Sequence, residues 1–522
     1  MSAFSPIGTR SPQRPVNAGP IVSAVENQPS WVALAAIVLA AAALTLPAWL
    51  GPVRNNDSFW IDWVWLDQFA KELGQGTLYP RWLPMSHHGL GSPVFYYYPP
   101  LAFYAASMFV FAGLSTYAAL IATFFVAYVL SGVGVFWWLK PQARAPLLGA
   151  LIYVAAPYHA FDFYSRGALA EAFATAVLPV VMVGVRKLAR DQRGGFVIVT
   201  LSYAALVMSH LPLALLASIF LVGPYVLLQA GTAPRRLVAI GSALGLGLLL
   251  AAVYLVPAFL LEPYRDTAKL WENAVLTPSN WTFWNPKFRT DQNYVSTLVM
   301  GVALSVPLIG LMLRHRSPWA LFGFFCVILA IGVVPPVWTL PLLRSVQFPF
   351  RLLVVAEFAL ATAIAMAAIR PSERVVAWLA VLAITVPIAG SNSLPAVSTT
   401  ELRTLYPDVP ENLPPGRRPY SWPSRWALEV AAAHSRPLAA NGITIRPLFY
   451  YPSWQVRCNG RITSAFSDAK TQLLSYRGQP DCDLSIVPTP SERIGTLISL
   501  IALAGLLVVA ALTSSRRHRE KG

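Results

Sequence analysis

Residues whose chemistry and spacing suit a joint role fall in a few short stretches between long apolar runs. The first stretch reads NNDSFWIDWVWLDQFAKELGQGTLYPRWLPMSHHGLGSPVFYYYPPL, residues 55–101. Asp57 precedes an apparent helix over 59–73, studded with Trp60, Trp63 and Trp65, that reads as an amphipathic element lying against the membrane. Two roles stand open for Asp57: helix N-cap, or a carboxylate that binds a divalent cation or accepts a proton from an acceptor hydroxyl. Asp62 lies about 140° further round a helix, so the two acids serve one site only if the helix begins after Asp57. Asp67 reads as a solvated face residue. Arg81, in Tyr79-Pro80-Arg81-Trp82, offers a planar fork to a phosphate or a salt bridge to a loop aspartate. His87 and His88 are adjacent and point apart in most backbones, which disfavours a shared metal.

The second stretch, PYHAFDFYSRGALAEA over residues 157–172, sets Asp162 and Arg166 four apart, the spacing of a helical ion pair. That pair leaves His159 and Glu171 unexplained, and an unpaired ionisable group near hydrocarbon costs a few kcal/mol and points to function. His210, in VMSHLP, is either a helix-end hydrogen-bonder or a ligand. In RSVQFPFR, Gln347 and Arg351 flank Pro349 where the chain re-enters an apolar run, and Arg351 is placed to hold a lipid phosphate. Glu357 sits about 9 Å deeper on a helix and needs a partner.

The elements that must carry these residues follow from composition. The 522 residues are 56% hydrophobic and 12% charged, with a mean hydropathy of +0.54. A soluble chain carries about twice that share of charge. The net charge of +16 does not imply nucleic acid, because Lys and Arg stand in small clusters between apolar runs rather than in a basic stripe. Such clusters mark cytoplasmic loops. They fall at Lys140 with Arg144, Arg186 to Arg193, Arg235 with Arg236, Arg314 with Arg316, Arg370 with Arg374, and Arg516 to Lys521. Counting apolar runs between them gives about twelve spans with both termini cytoplasmic: 31–50, 116–139, 144–157, 169–187, 196–210, 212–229, 237–260, 296–313, 319–335, 352–370, 375–391 and 493–512.

The expected fold is thus an all-α polytopic membrane protein with a small α+β extracytoplasmic domain inserted before the last helix. Residues 1–30 read as a disordered cytoplasmic tail, 31–391 as the membrane domain with an outer loop 51–115, and 513–522 as a basic cytoplasmic tail. Within that loop 99–113 breaks the charge parity and reads as a helix in the outer interface. The insert 392–492 carries the hairpin signal Asn459-Gly460 between alternating segments, so its second half reads as β-rich. Cys458 and Cys482 either pair, contributing about 3 kcal/mol in an oxidising compartment, or stay free. Cys326 reads as a core hydrophobe. A phosphate-binding glycine loop, a dinucleotide glycine pattern, HExxH and a nucleophile elbow are all missing from supporting contexts, which removes the usual signs of ATP-driven transport and soluble-type hydrolysis.

The strings LYPRWLP, GLGSPVFYYYPPL, APYHAFDFYSRGALAEA, MSHLP and QFPFR, in this order and spacing, resemble bacterial membrane proteins labelled 6-pyruvoyl-tetrahydropterin synthase-related. YYPSWQVRCNG followed by ERIGTLISLIALAGLL is similar to the closing domain and span of large bacterial glycosyltransferase-like membrane proteins. The soluble pterin synthase needs a three-histidine zinc site that this sequence does not match. The resemblance implies instead a C-type glycosyltransferase (GT-C) architecture in the bacterial inner membrane, with a polyprenyl-phosphate sugar donor and a cell-envelope glycan, lipid or protein acceptor. By position it implies Asp57 as base or metal ligand, and Asp162 and His159 as ligands of a divalent cation (Mg or Mn) or orienting groups. Arg166, Arg351 and Arg81 would clamp phosphate, with Glu171, His210 and Gln347 joining them around the substrate. The paired acids common after the first GT-C span are lacking, since Asp57 has no acidic neighbour before Asp62. A transporter or flippase for an envelope precursor, and a non-catalytic assembly protein, are the competing readings.

Overall fold

A computed structural model describes residues 30–51, 58–231, 233–268, 270, 274–287, 291–367, 382, 385, 400, 402–403, 406, 408–414, 442–469 and 471–519. Among them, seven helices are long and apolar enough to cross a membrane: Ser30–Leu50, Thr116–Leu139, Leu169–Ala189, Leu211–Gln229, Asn293–His315, Pro349–Met366 and Pro490–Leu512. The pair Pro234–Leu250 and Ala252–Leu260, bent by 66°, makes an eighth if it counts as one span.

The expectation of about twelve spans meets this set unevenly. Over 144–157 the chain forms the nine-residue helix Pro146–Val154, about 14 Å long and well short of a hydrocarbon core of about 30 Å. Gly195–Ser209 and Pro318–Ala330 are apolar but short, and 375–391 lies almost entirely outside the described residues. Leu101–Phe111 forms the short helix expected in 99–113.

Burial separates the bundle's centre from its lipid-facing rim. Pro349–Met366 is 94% buried and Leu169–Ala189 83%, against 17% for Pro490–Leu512. A helix apolar on every side must be surrounded, by protein or by lipid. The two central helices also carry Glu171, Arg351 and Glu357, so these charges are enclosed by protein.

The helix Phe59–Gly74 buries two of its three tryptophans inside the protein and leaves Trp60 half-buried. Trp63, Trp65 and Phe69 are all under 5% exposed; Trp65 packs edge-on against Phe95 and Tyr98, Phe69 against Phe95 and Tyr104, and the Arg403 guanidinium lies 5.5 Å from the Trp63 ring. Aromatic partners inside the protein take the place of lipid headgroups. Asp67, expected on a solvated face, accepts from Tyr406 Oη at 2.8 Å, Thr116 Oγ1 at 3.2 Å and Arg403 Nη2 at 3.3 Å.

The insert's second half holds two antiparallel three-stranded sheets. Strands β1 (Ile443–Phe449), β5 (Leu473–Arg477) and β4 (Ala465–Ser467) form one, in the order β1-β5-β4; β3 (Arg461–Thr463), β2 (Trp454–Cys458) and β6 (Asp483–Ile486) form the other, in the order β3-β2-β6. Asn459 and Gly460 turn β2 into β3 with φ of 50° and 78°, the left-handed pair that a two-residue hairpin requires. A disulfide joins Cys458 to Cys482. Tyr451 and Phe449 pack with Trp82, Leu90 and Tyr96, fastening the sheets to the outer loop.

Candidate active site

Leu169–Ala189 begins with Glu171 in its first turn, immediately after a π-helical turn, Asp162–Arg166, and Gly167 at φ 63°. The widened turn and left-handed glycine fold the Arg166 side chain back over the helix start. There Arg166 Nη1 donates to Asp162 Oδ1 and Glu171 Oε2, both at 2.7 Å, and lies 3.2 Å from Tyr158 Oη. Arg351, from the short 3-10 turn Pro349–Leu352, reaches the same Glu171 Oε2 through Nε at 3.0 Å. Its Nη1 donates to the Val346 carbonyl at 2.5 Å and to Gln347 Oε1 at 3.3 Å. Tyr158 Oη donates to Glu171 Oε1 at 2.7 Å, and His210 Nε2 stands 4.0 Å from Oε2. Glu171 is fully buried and joins two guanidiniums on one carboxylate. Charge-assisted bonds of this kind fix orientation as well as energy.

A cavity of about 610 Å³ opens beside this hub. Its wall includes Arg166, Arg351, His210 and Gln347 with the aromatic residues Trp65, Tyr98 and Phe348. Arg166 Nη2 and Arg351 Nη2 bond to no protein acceptor among the described residues, and both side chains line the cavity. They are the donors left for a ligand.

Asp62 faces the same cavity from the helix Phe59–Gly74. The helix starts after Asp57, with the N-cap position at Ser58, whose amide donates to the Arg166 carbonyl at 2.7 Å. Asp62 Oδ2 accepts from the Leu169 amide at 3.1 Å, and no cation pairs with it among the described residues. Burial pushes its carboxyl up to about 8, against the pull of that backbone bond and of Arg166. A carboxylate so placed can take a proton near neutral pH.

The remaining expected residues divide plainly. Asp57 lies outside the described residues, although Ser58 next to it lines the cavity. Asp162 is spent on Arg166 and does not line the cavity, so it orients a guanidinium rather than meeting a ligand. His159 Nδ1 pairs with Glu357 Oε2 at 3.2 Å, supplying the partner Glu357 needed, with the Tyr158 amide on Oε1 at 2.7 Å. That pair lies behind the hub. His210 caps the helix Leu211–Ala217, its Nδ1 accepting from the Leu213 amide at 3.3 Å. Arg81 is drawn elsewhere: Nε bonds Glu492 at 3.0 Å, Nη2 the Val253 carbonyl at 2.7 Å, and its guanidinium covers Tyr79 at 3.6 Å. It ties the outer loop to the last helix instead of clamping phosphate in this cavity.

Among the described residues no group of three His, Cys, Asp or Glu side chains could hold a metal ion. With Asp162 bonded to Arg166, the described donors do not fit the divalent cation expected from the resemblance. The cavity also holds residues that sequence spacing does not single out: Arg265 on the stretch after the bent pair, Asp291 and Asn293 at a helix start, and Glu411 and Asn412 from the insert. Their separation in sequence hides their meeting.

Residues 95–397 match the family described as 6-pyruvoyl-tetrahydropterin synthase related domain, a membrane protein. No curated protein matches the sequence. The fold is similar to that in a cryo-EM structure of the arabinofuranosyltransferase AftD from Mycobacteria, at 16% identity and a TM-score of 0.44, over 78% of this chain and 29% of that one. A mutant of AftD gives 14% identity and a TM-score of 0.42, over 71% of this chain and 28% of that one. The chain spans less than a third of the length of either. With its match covering more than half the sequence, this chain belongs to the 6-pyruvoyl-tetrahydropterin synthase related family of membrane proteins.

Proposed function

We propose that this protein is a glycosyltransferase of the bacterial inner membrane that moves a sugar from a polyprenyl-phosphate donor to a cell-envelope acceptor on the extracytoplasmic face. One observation carries the reading: a cavity that joins a buried carboxylate, Asp62, to two guanidiniums locked on Glu171, with neither Asp62 paired to a cation nor the Nη2 donors bonded among the described residues. Such transfer needs a base for the acceptor hydroxyl and fixed positive charge for the departing phosphate. The acceptor oxygen bonds to the sugar's anomeric carbon as the bond from that carbon to the phosphate oxygen breaks. The acceptor's proton passes to Asp62, and the phosphate leaves onto Arg166 and Arg351.

The hub sits at the start of Leu169–Ala189, while the cluster Arg186 to Arg193 lies at its other end, about 25 Å away along the helix. With basic clusters inside, the hub is extracytoplasmic and both termini are cytoplasmic. The test uses the full chain in nanodiscs with a radiolabelled polyprenyl-phosphate sugar. Release of polyprenyl phosphate should fall by about 10²–10³ in Arg351→Ala, the cost of removing one preorganised donor. Full turnover in that variant, or movement of the intact donor across a sealed membrane without cleavage, defeats the reading in favour of no catalytic hub or of a carrier.

A further inference from the structure

Arg265 borders the same cavity but belongs to a different part of the molecule. It follows the short turn Glu262–Tyr264, and its guanidinium covers the Tyr97 ring at 4.5 Å. Tyr97 Oη donates to the Leu261 carbonyl at 2.5 Å and lies 3.0 Å from Tyr451 Oη, in the chain between β1 and β2. The next residue, Asp266, donates its amide to the Leu413 carbonyl at 3.0 Å. Arg265 therefore stands where the cavity meets the insert, whereas Arg166 and Arg351 stand where it meets the starts of the central helices.

Arg81, Arg166 and Arg351 each have a carboxylate within 3.0 Å. Arg265 has none at ion-pair distance among the described residues, and its Nε is buried without an acceptor. Buried donors in folded proteins are met by protein, water or ligand. A guanidinium held over an aromatic ring, with an unmet buried N–H and a place on a cavity wall, is built to receive an anion. We propose that Arg265 forms an anion subsite at the insert end of the cavity and takes a carboxylate or phosphate carried by the acceptor. The assignment to an acceptor rests on the glycosyltransferase reading; the anion subsite does not. An acceptor entering from the insert side meets Arg265 over the Tyr97 ring, with the Glu411 carboxylate near enough to interact with its charge, while the donor phosphate meets Arg166 and Arg351.

The test is saturation-transfer NMR on the full chain in nanodiscs of phosphatidylcholine, with glucuronate, glucose 6-phosphate and glucose as probes. At least one acidic probe should bind about tenfold or more tightly than glucose, the worth of a hydrogen bond to a charged group, and the stronger of the two identifies the acid. Arg265→Ala should bring glucuronate to the level of glucose, Arg265→Lys should keep part of the gain, and Arg236→Ala, whose exposed pair with Asp191 is no part of the cavity wall, should leave it intact. Tyr97→Leu, which removes the ring beneath the guanidinium, should weaken acidic probes without affecting glucose. Acidic probes that bind no better than glucose, or that persist in Arg265→Ala and vanish in Arg351→Ala, overturn the subsite. If Arg265-dependent binding is found but no polyprenyl-phosphate sugar is consumed, the transferase reading fails while the subsite stands.

Discussion

Two fully buried carboxylates, Asp62 and Glu171, have opposite surroundings and therefore opposite work. Glu171 is ringed by Arg166, Arg351 and Tyr158, and its charge is what allows two guanidiniums to stay inside the protein. Glu171→Gln strands that positive charge and should cost about 3–5 kcal/mol of stability, seen as a lowered melting temperature in detergent, whereas Glu171→Asp should cost less. Asp62 has a backbone amide and, among the described residues, no paired cation, and burial raises it to about 8. The folded protein thus holds Asp62 protonated over a range where the unfolded chain releases its proton. Stability from this group is full below the ordinary carboxylate value and is lost as pH rises through about 8. Asp62→Asn should flatten that segment of the stability profile measured by thermal melts. The Asp162–Arg166 pair was legible from its spacing of four, and the importance of Glu171 and Arg351 from their being charges near hydrocarbon. Asp62 was harder to read: a carboxylate on a tryptophan-rich helix looks the same whether its neighbours are lipid or protein.

The elements bring these residues together from distant parts of the chain. The π turn at Asp162–Arg166 sets the hub, and Phe59–Gly74 turns Asp62 toward it. Described residues of the insert between 402 and 414 then meet the outer loop. Asp408 Oδ1 accepts from Trp65 Nε1 at 3.1 Å, the Tyr406 carbonyl accepts from the His87 amide at 3.0 Å, and Glu411 and Asn412 line the cavity. Asp408→Ala should loosen this contact, and faster hydrogen exchange at the Trp65 indole and His87 amide is the expected sign; unchanged exchange would show that the contact holds nothing in place. Gly91 offers a second check. It takes φ of 83°, and a methyl there would stand 2.3 Å from the Trp82 ring, which packs on Tyr451 and Trp454. Gly91→Ala should therefore displace the insert and lower the melting temperature without touching the cavity. The hairpin at Asn459-Gly460 was legible because its turn chemistry is local. The contact of these insert residues with the outer loop was not, since its partners lie more than 300 residues away in the chain.

Taken whole, the molecule keeps its hydrophobic bulk in the bundle and its partnered charges at one end of the two most buried helices. Hydropathy made the membrane class legible; the number of spans was less so, because apolar helices such as Pro146–Val154 and Pro318–Ala330 are too short to be counted by length alone. Single cysteines introduced at Arg193 and at Ser467 should react with an impermeant maleimide from opposite faces of sealed vesicles, and labelling of both from the same face would contradict the inferred topology. The proposed transferase role requires Asp62 to act as base in a cavity that binds a lipid phosphate. Its measurement is the pH profile of polyprenyl-phosphate-sugar turnover by the wild-type chain in nanodiscs beside Asp62→Asn. Wild-type turnover should climb about tenfold per pH unit below about 8 and then level, with Asp62→Asn flat and lower by about 10²–10⁴. An inserted, stable Asp62→Asn protein with the wild-type rate and profile would contradict it.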